Sequence, residues 1–398
     1  MTETRRNITI SVLALCLASA ACGSAPTADA PAATEAEPAD VATEAGSAAA
    51  HDGAQTPEPD STQASATSLD CQDGFPAVYA ELDGLEGDER TDRLVELAQE
   101  EGELMVYTSN NEMPDVAPAF AEEFDIATEV YRAPSDAVSQ RVHEEADAGQ
   151  IRSDIIDNIA QWQVVALRSG LLTEYEGPVR EDLPEIALGE GFTSNQYLPH
   201  TIGWNTDLVS EEERPRSYAD LTEPRWEGKF TLEPRHSAMY MALYNYFIEE
   251  GSSEAEVHEL FRKIGSNAVL MDGNTQRINL MTTGEYSAGV GMYSQGIDKA
   301  AREGAPVAWE PAVEPIYVET YGAGLSTCAT HPAAALLFYE WVATDGQEEM
   351  AALGRVTTED FAAGGRFDGL ELLQIDYGTF VDEQQRWDEE WYDLIGYQ

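Results

Sequence analysis

Positive charge is scarce in this chain: 22 Lys and Arg stand against 74 Asp and Glu in 398 residues, a formal net charge of −52 at pH 7. Phosphate backbones are gripped by clustered cations, so DNA and RNA are excluded as partners. Histidine is scarcer still, six residues with none at metal-ligand spacing. With no C-x-x-C and no H-E-x-x-H, a zinc site is not expected. No G-x-S-x-G elbow occurs, because GAGLSTC around Ser326 lacks the closing glycine. No phosphate-cradling G-x-x-x-x-G-K-[ST] occurs, and GVGMYSQG, Gly289 to Gly296, has its third glycine misplaced for a dinucleotide loop. These absences point away from an enzyme and from a cofactor.

The acidic excess runs along the whole chain. Self-repulsion at this charge strains a compact state in dilute salt. In about 1 M salt the Debye length falls to ~3 Å and the repulsion is screened. The composition is read as salt adaptation.

Long apolar runs are missing too, apart from Ile8 to Ala21, which comes after Arg5 and Arg6 and is too short to span a bilayer comfortably. It ends in SAAC, Ser19 to Cys22. Residues 1–21 read as a bacterial lipoprotein signal, with cleavage before Cys22 and acylation of its sulfur. The lipid is then the only membrane attachment, on the outer face of the cytoplasmic membrane or in the periplasm. From 23 to 70 there is no Lys, Arg, Phe, Trp or Tyr. Such a segment cannot bury enough apolar area to offset its ordering entropy, so 22–70 reads as anchor and acidic Ala/Pro/Thr-rich tether, with a random-coil reach of roughly 40 Å. Of four cysteines, Cys16 leaves with the signal and Cys22 is the anchor. Cys71 and Cys328 remain, a natural disulfide in an oxidising compartment.

From Cys71 onward the chain is rich in apolar periodicity, and its length calls for two packed units. Leu94, Leu97 and Ala98 mark a helix ending near Gly102, then come strand Leu104–Tyr107, a helix to about Asp125, and strand Ile126–Tyr131. Ser135 is a candidate N-cap for the helix carrying Val138, Val142 and Ala146. Strand Asp154–Asp157 and a helix closing at Gly170 complete an α/β series with a largely parallel sheet. Thr193–Val209 reads as an extended crossover. A second series comes next: strand Lys229–Leu232, helices Ala238–Glu250 and Glu254–Ile264, strand Ala268–Met271, helix Thr275–Thr283, strand Ala288–Tyr293, and a helix to Arg302. Glu314–Leu325 is a return crossover, and helices Ala333–Ala343 and Gln347–Leu353 come after it. Aromatic residues at helical spacing, Phe380, Trp387 and Trp391, fill the tail. The chain leaves one α/β unit, builds another and returns. Residues 71–200 and 318–398 are assigned to a first lobe and 201–317 to a second, with two crossovers as hinge and a cleft between.

Strand Leu104–Tyr107 ends abruptly in Thr108, Ser109, Asn110 and Asn111 before the next helix begins. Ligands in open α/β sheets sit outside the carboxyl ends of strands, near helix N-termini with unpaired N–H groups. Small hydroxyl and amide residues also serve plain turns and caps. Their recurrence after other strands, at Ser135, Asp157 with Asn158, Asn274 with Thr275, and Ser294, favours a shared polar cleft. The candidate ligand-binding set is Thr108, Ser109, Asn110, Ser135, Asn158, Arg235, Thr275 and Tyr293. Arg235 and Arg277 are candidates to clamp a carboxylate or phosphate, against the alternative of plain salt bridges. Tyr240, Tyr317 and Tyr321 read as packing residues.

From about Arg93 to Arg355 the sequence resembles the extracellular solute-binding proteins of bacterial ABC importers, in the branch that includes ferric-iron binders. The resemblance rests on LVELAQEEGELMVYTS, on SDII with LRSGLLTEY, on GWNTDLV, SYADLTEPRWEGKF and TTGEYSAGV, and on HPAAALLFYEWVATDGQ. It implies a two-lobed periplasmic-binding-protein-like α/β fold of type II, a monomer that closes on a small solute and delivers it to a membrane permease and its ATPase. Iron-binding members use an adjacent tyrosine pair after a second-lobe strand. Here Tyr293 is followed by Ser294, and Asn110 or Asn111 stands where that branch often has His. A small organic solute, with an anion as one option, is therefore the first reading. Ferric iron held by Tyr293 is the alternative, and a secreted enzyme on the same fold the outside one.

Overall fold

The computed structural model describes residues 74–397. The readings that fall on the signal, Cys16, Cys22, the tether and Cys71 lie outside the described residues. Cys328 is disulfide-bonded, and Cys71, its expected partner, is among the undescribed.

The elements run in chain order. Helices α1 (Phe75–Leu82) and α2 (Gly87–Glu101) precede β1 (Glu103–Thr108), α3 (Met113–Phe124), β2 (Ala127–Arg132), α4 (Ser135–Asp147), β3 (Ile155–Ile159) and α5 (Ala160–Arg168). Then come β4 (Leu172–Thr173), α6 (Val179–Asp182), β5 (Leu188–Gly189) and the long β6 (Phe192–Asn205). The second series is β7 (Phe230–Leu232), α7 (Ser237–Glu249), α8 (Glu254–Asn267), β8 (Ala268–Leu270), α9 (Asn274–Thr282), β9 (Ala288–Tyr293) and α10 (Ser294–Arg302). The chain finishes with β10 (Val307–Ala308), β11 (Ile316–Ser326), α11 (Pro332–Ala343), α12 (Gly346–Ala352), β12 (Leu372–Leu373) and α13 (Tyr377–Ile395).

The main sheet runs β2-β1-β3-β11-β6-β9-β7-β8. β2, β1 and β3 are parallel, as are β8, β7 and β9. Between them the two crossovers β6 and β11 lie antiparallel to each other and to their flanking strands. The expected architecture is therefore present: two α/β lobes joined by two long strands. β6 is buried along its whole length, which is why its sequence shows no amphipathic alternation.

Each lobe has its own apolar core. In the first, Leu104, Val106, Phe120 and Ile155 pack with Leu336, Phe338 and Trp341 of α11. Asp154, wholly buried, ties this lobe together: it accepts from Met105 N at 2.9 Å, Thr330 N at 2.7 Å and His331 Nδ1 at 2.9 Å. In the second, Phe230, Leu243, Phe261 and Val290 surround Tyr240, which stacks on Trp391 at 5.2 Å between centroids. Tyr240 is thus a packing residue. The aromatic face of α13 belongs to this second core through Trp387, Trp391 and Leu394, although the sequence pattern assigns 318–398 to the first lobe. α11 packs on the first lobe, whereas α13 crosses from α5, where Tyr377 and Val381 pack, to α7 and α8. Apolar spacing defines a helix face without naming its partner.

One local expectation is corrected. Ser135 is not the N-cap of α4 but its first residue: Pro134 holds the cap position, and no side chain caps the helix. Pro118 sits inside α3, and having no N–H it leaves the Pro114 carbonyl without a helical donor.

Candidate functional site

The polar turn after β1 is fixed from below. Thr108, fully buried, donates from Oγ1 to Asp157 Oδ2 at 2.5 Å, and Asn195 Nδ2 donates to Asp157 Oδ1 at 2.8 Å. Burial pushes the Asp157 carboxyl up to about 7 against these hydrogen bonds. The Asn110 N–H donates to Thr108 Oγ1 at 2.9 Å, and Asn110 Oδ1 accepts from Glu112 N at 2.9 Å. This spends the acceptor of Asn110 inside the turn. Its Nδ2 is left buried with no partner among the described residues.

The neighbouring strand end is joined to the same turn. Ser109 Oγ donates to Asn158 Oδ1 at 2.7 Å, and Asn158 Nδ2 donates to the Ser135 carbonyl at 3.0 Å. The hydroxyls of Ser109 and Ser135 face the phenol of Tyr321 on β11, whose pKa burial raises.

From the second lobe, Asn274 organises the approach. Its Nδ2 donates to Gly291 O at 3.1 Å, and its Oδ1 accepts from Tyr293 N at 3.0 Å. This sets the start of α9 beside the start of α10. Neither helix is capped by its own N-cap side chain; at α9 the Gly273 N–H donates to Glu233 Oε2 at 2.8 Å, and the start of α10 presents partial positive charge.

These parts line one cleft of about 330 Å³. Asn110, Asn111, Glu112 and Arg355 come from the first lobe, Thr275, Tyr293, Gln295 and Lys299 from the second, and Gln196, Leu198 and Tyr321 from the hinge strands. Glu112 is held by Arg355 Nη2 and accepts from Gln196 Nε2 at 3.4 Å. Three nitrogens here are buried without a partner among the described residues: Asn110 Nδ2, Gln295 Nε2 and Arg355 Nε. All three are donors. Asn110 is 1% exposed and Gln295 4%.

Of the expected set, Asn110, Thr275 and Tyr293 line this cleft. Ser109, Asn158 and Ser135 form the hydrogen-bonded layer behind Tyr321. Thr108 lies deeper, on Asp157. Arg235 is elsewhere, 69% exposed and 3.5 Å from Asp272. Arg277 is fully buried and donates to the carbonyls of Thr231 at 3.1 Å and Val290; burial lowers its pKa to about 10. It braces β7 against β9. Gln196, Gln295, Tyr321 and Arg355 are not in the expected set. GMYSQG contains Gln295 two residues after Tyr293, a signal of helix N-terminal chemistry, but nothing local marks Arg355.

Residues 189–313, from β5 to just before β11, match the family model of bacterial extracellular solute-binding proteins. Over that stretch the chain is similar to this family. Iron-bound HitA from Pseudomonas aeruginosa has this fold, with TM-score 0.60 and 15% identity over 73% of this chain and 99% of its own. AfuA from Actinobacillus pleuropneumoniae, solved with exogenous fructose-6-phosphate, gives TM-score 0.60 and 22% identity over 75% and 99%. MotA from A. tumefaciens B6, in complex with glucopine, gives 0.57 and 16% over 74% and 99%. None of the curated proteins matches the chain. These likenesses concern the fold, two lobes with a cleft between them.

Proposed function

We propose that this protein is the substrate-binding lipoprotein of an ABC importer, anchored through Cys22, working as a monomer, and capturing a small organic solute with an acidic, acceptor-rich group for delivery to a permease. The observation that carries the reading is the set of three buried donors, Asn110 Nδ2, Gln295 Nε2 and Arg355 Nε, in one cleft. A buried unpaired donor costs about 1–3 kcal/mol. A carboxylate or phosphate oxygen removes that cost, and the N-terminus of α10 favours negative charge. Because donors come from both lobes, such a solute binds the closed arrangement better than the open one, and that difference drives closure.

Ferric iron is the weaker reading. The neighbour solved with iron supports it, as the sugar-phosphate neighbour supports an organic anion. Here Tyr293 is followed by Ser294 rather than by the second tyrosine of the iron-binding branch. Among the described residues no three His, Cys, Asp or Glu side chains group to hold a metal.

Titration calorimetry with the co-purifying solute tests the proposal. Asn110→Ala and Gln295→Ala are each expected to weaken binding about tenfold or more; Asn110→Ala also lowers the unliganded melting temperature, because it removes the acceptor of the Glu112 N–H. Wild-type affinity in both variants contradicts it.

A further inference from the structure

A second cavity lies farther along the same hinge wall. Gln196 and Leu198 of β6 line the first chamber; His200, two residues on and on the same strand face, lines the second. On β11, Tyr321 belongs to the first, Glu319 and Tyr317 to the second. Tyr293 stands between, its ring 5.0 Å from that of His200. The second chamber encloses about 260 Å³.

Its chemistry differs from that of the first, which holds Glu112 and Glu303 beside Lys299 and Arg355. Glu319, half-buried, turns its carboxylate to within 3.6 Å of His200 Nε2. His200 is 2% exposed, and both its ring nitrogens are buried without a hydrogen-bond partner among the described residues. His236, 4.8 Å away between ring centroids, leaves Nδ1 equally unpartnered. Burial, then the neighbouring His200 and Arg277, lower the pKa of His236 well below its ordinary value, and a neutral imidazole offers an acceptor nitrogen. Phe380 and Tyr317 supply aromatic wall. Asp388 adds a second carboxylate, engaged by the Ser237 hydroxyl at the start of α7. Among the described residues, Arg235 is the one cationic side chain lining the chamber, and it is 69% exposed and faces Asp272.

We propose that this second chamber seats an ammonium group, so that the solute is a zwitterion, with its acid group at Asn110, Gln295 and Arg355 and its amine at Glu319, His200 and His236. This rests on the acid-binding reading of the first chamber and names the substrate class. Carboxylate, imidazole acceptor and aromatic wall together are what an ammonium needs. On β6, Gln196 of the first chamber and His200 of the second are four residues apart, about 13 Å of strand.

The test uses straight-chain carboxylates and phosphonates of graded length, each in three forms: with a terminal amine, with a terminal methyl, and with a second acid group. Calorimetry is run on the full wild-type chain, on Glu319→Gln and on Glu319→Asp. The amine form is expected to bind about 10- to 100-fold tighter than the methyl form, with the preference collapsing in Glu319→Gln and surviving in Glu319→Asp. An amine form no tighter than the methyl form overturns the inference while leaving the acid-binding reading intact. A diacid that binds tightest, drawn to the N-termini of α5 and α7 that border the chamber, also overturns it. If no acid binds in any form, both readings fall.

Discussion

Thr108 Oγ1 donates to Asp157 Oδ2 at 2.5 Å, joining β1 to β3 at the register pair directly beneath the polar turn. Because the Asn110 N–H donates to that same Thr108 oxygen, the Asp157 carboxyl is the base on which the turn stands.

The first prediction comes from its titration. Asp157 has a pKa raised by burial to about 7 in the fold, against about 3.9 in an unfolded chain. Between those values the folded state holds a proton that the unfolded chain has lost. The stabilising contribution is therefore present in full below about pH 4 and lost as pH rises towards 7. Melting temperatures measured in constant high salt, for wild type and Asp157→Asn, give a difference that declines from pH 4 to 7 and then levels. A difference that stays flat with pH contradicts the raised value.

Much of this arrangement is legible in the sequence because it is local. Four small polar residues after a buried run announce the turn, and strand–helix alternation announces both lobes. The Tyr293 region is marked by its position at a strand end. What the sequence does not show depends on contacts between distant segments. Arg355 reaches the cleft only because α12 packs on the first lobe, and Tyr321 because β11 returns between β3 and β6. Arg235 is expected in the site for its charge alone, yet its backbone position leaves it at the surface beside Asp272. Thr108 is expected at the ligand, but the pleat of β1 turns it inward to Asp157.

The second prediction concerns salt. At a formal charge of −52, repulsion among carboxylates opposes the compact state, and screening relieves it. The melting temperature is expected to climb over a wide range of KCl. A melting temperature independent of KCl removes the reading of salt adaptation.

The third concerns the anchor. SAAC ahead of a tether without aromatic or basic residues motivates acylation at Cys22. Cys22→Ser is expected to release the protein from membranes on fractionation; unchanged membrane association refutes the anchor.

The central claim, capture of an acceptor-rich organic solute between Asn110, Gln295 and Arg355, is tested most directly by native mass spectrometry of freshly purified protein. The account predicts a colourless protein carrying one small organic adduct with a carboxylate or phosphate, lost or much reduced in Gln295→Ala and absent after denaturation. A ferric adduct, with a phenolate-to-iron absorption band that disappears in Tyr293→Phe, would contradict it.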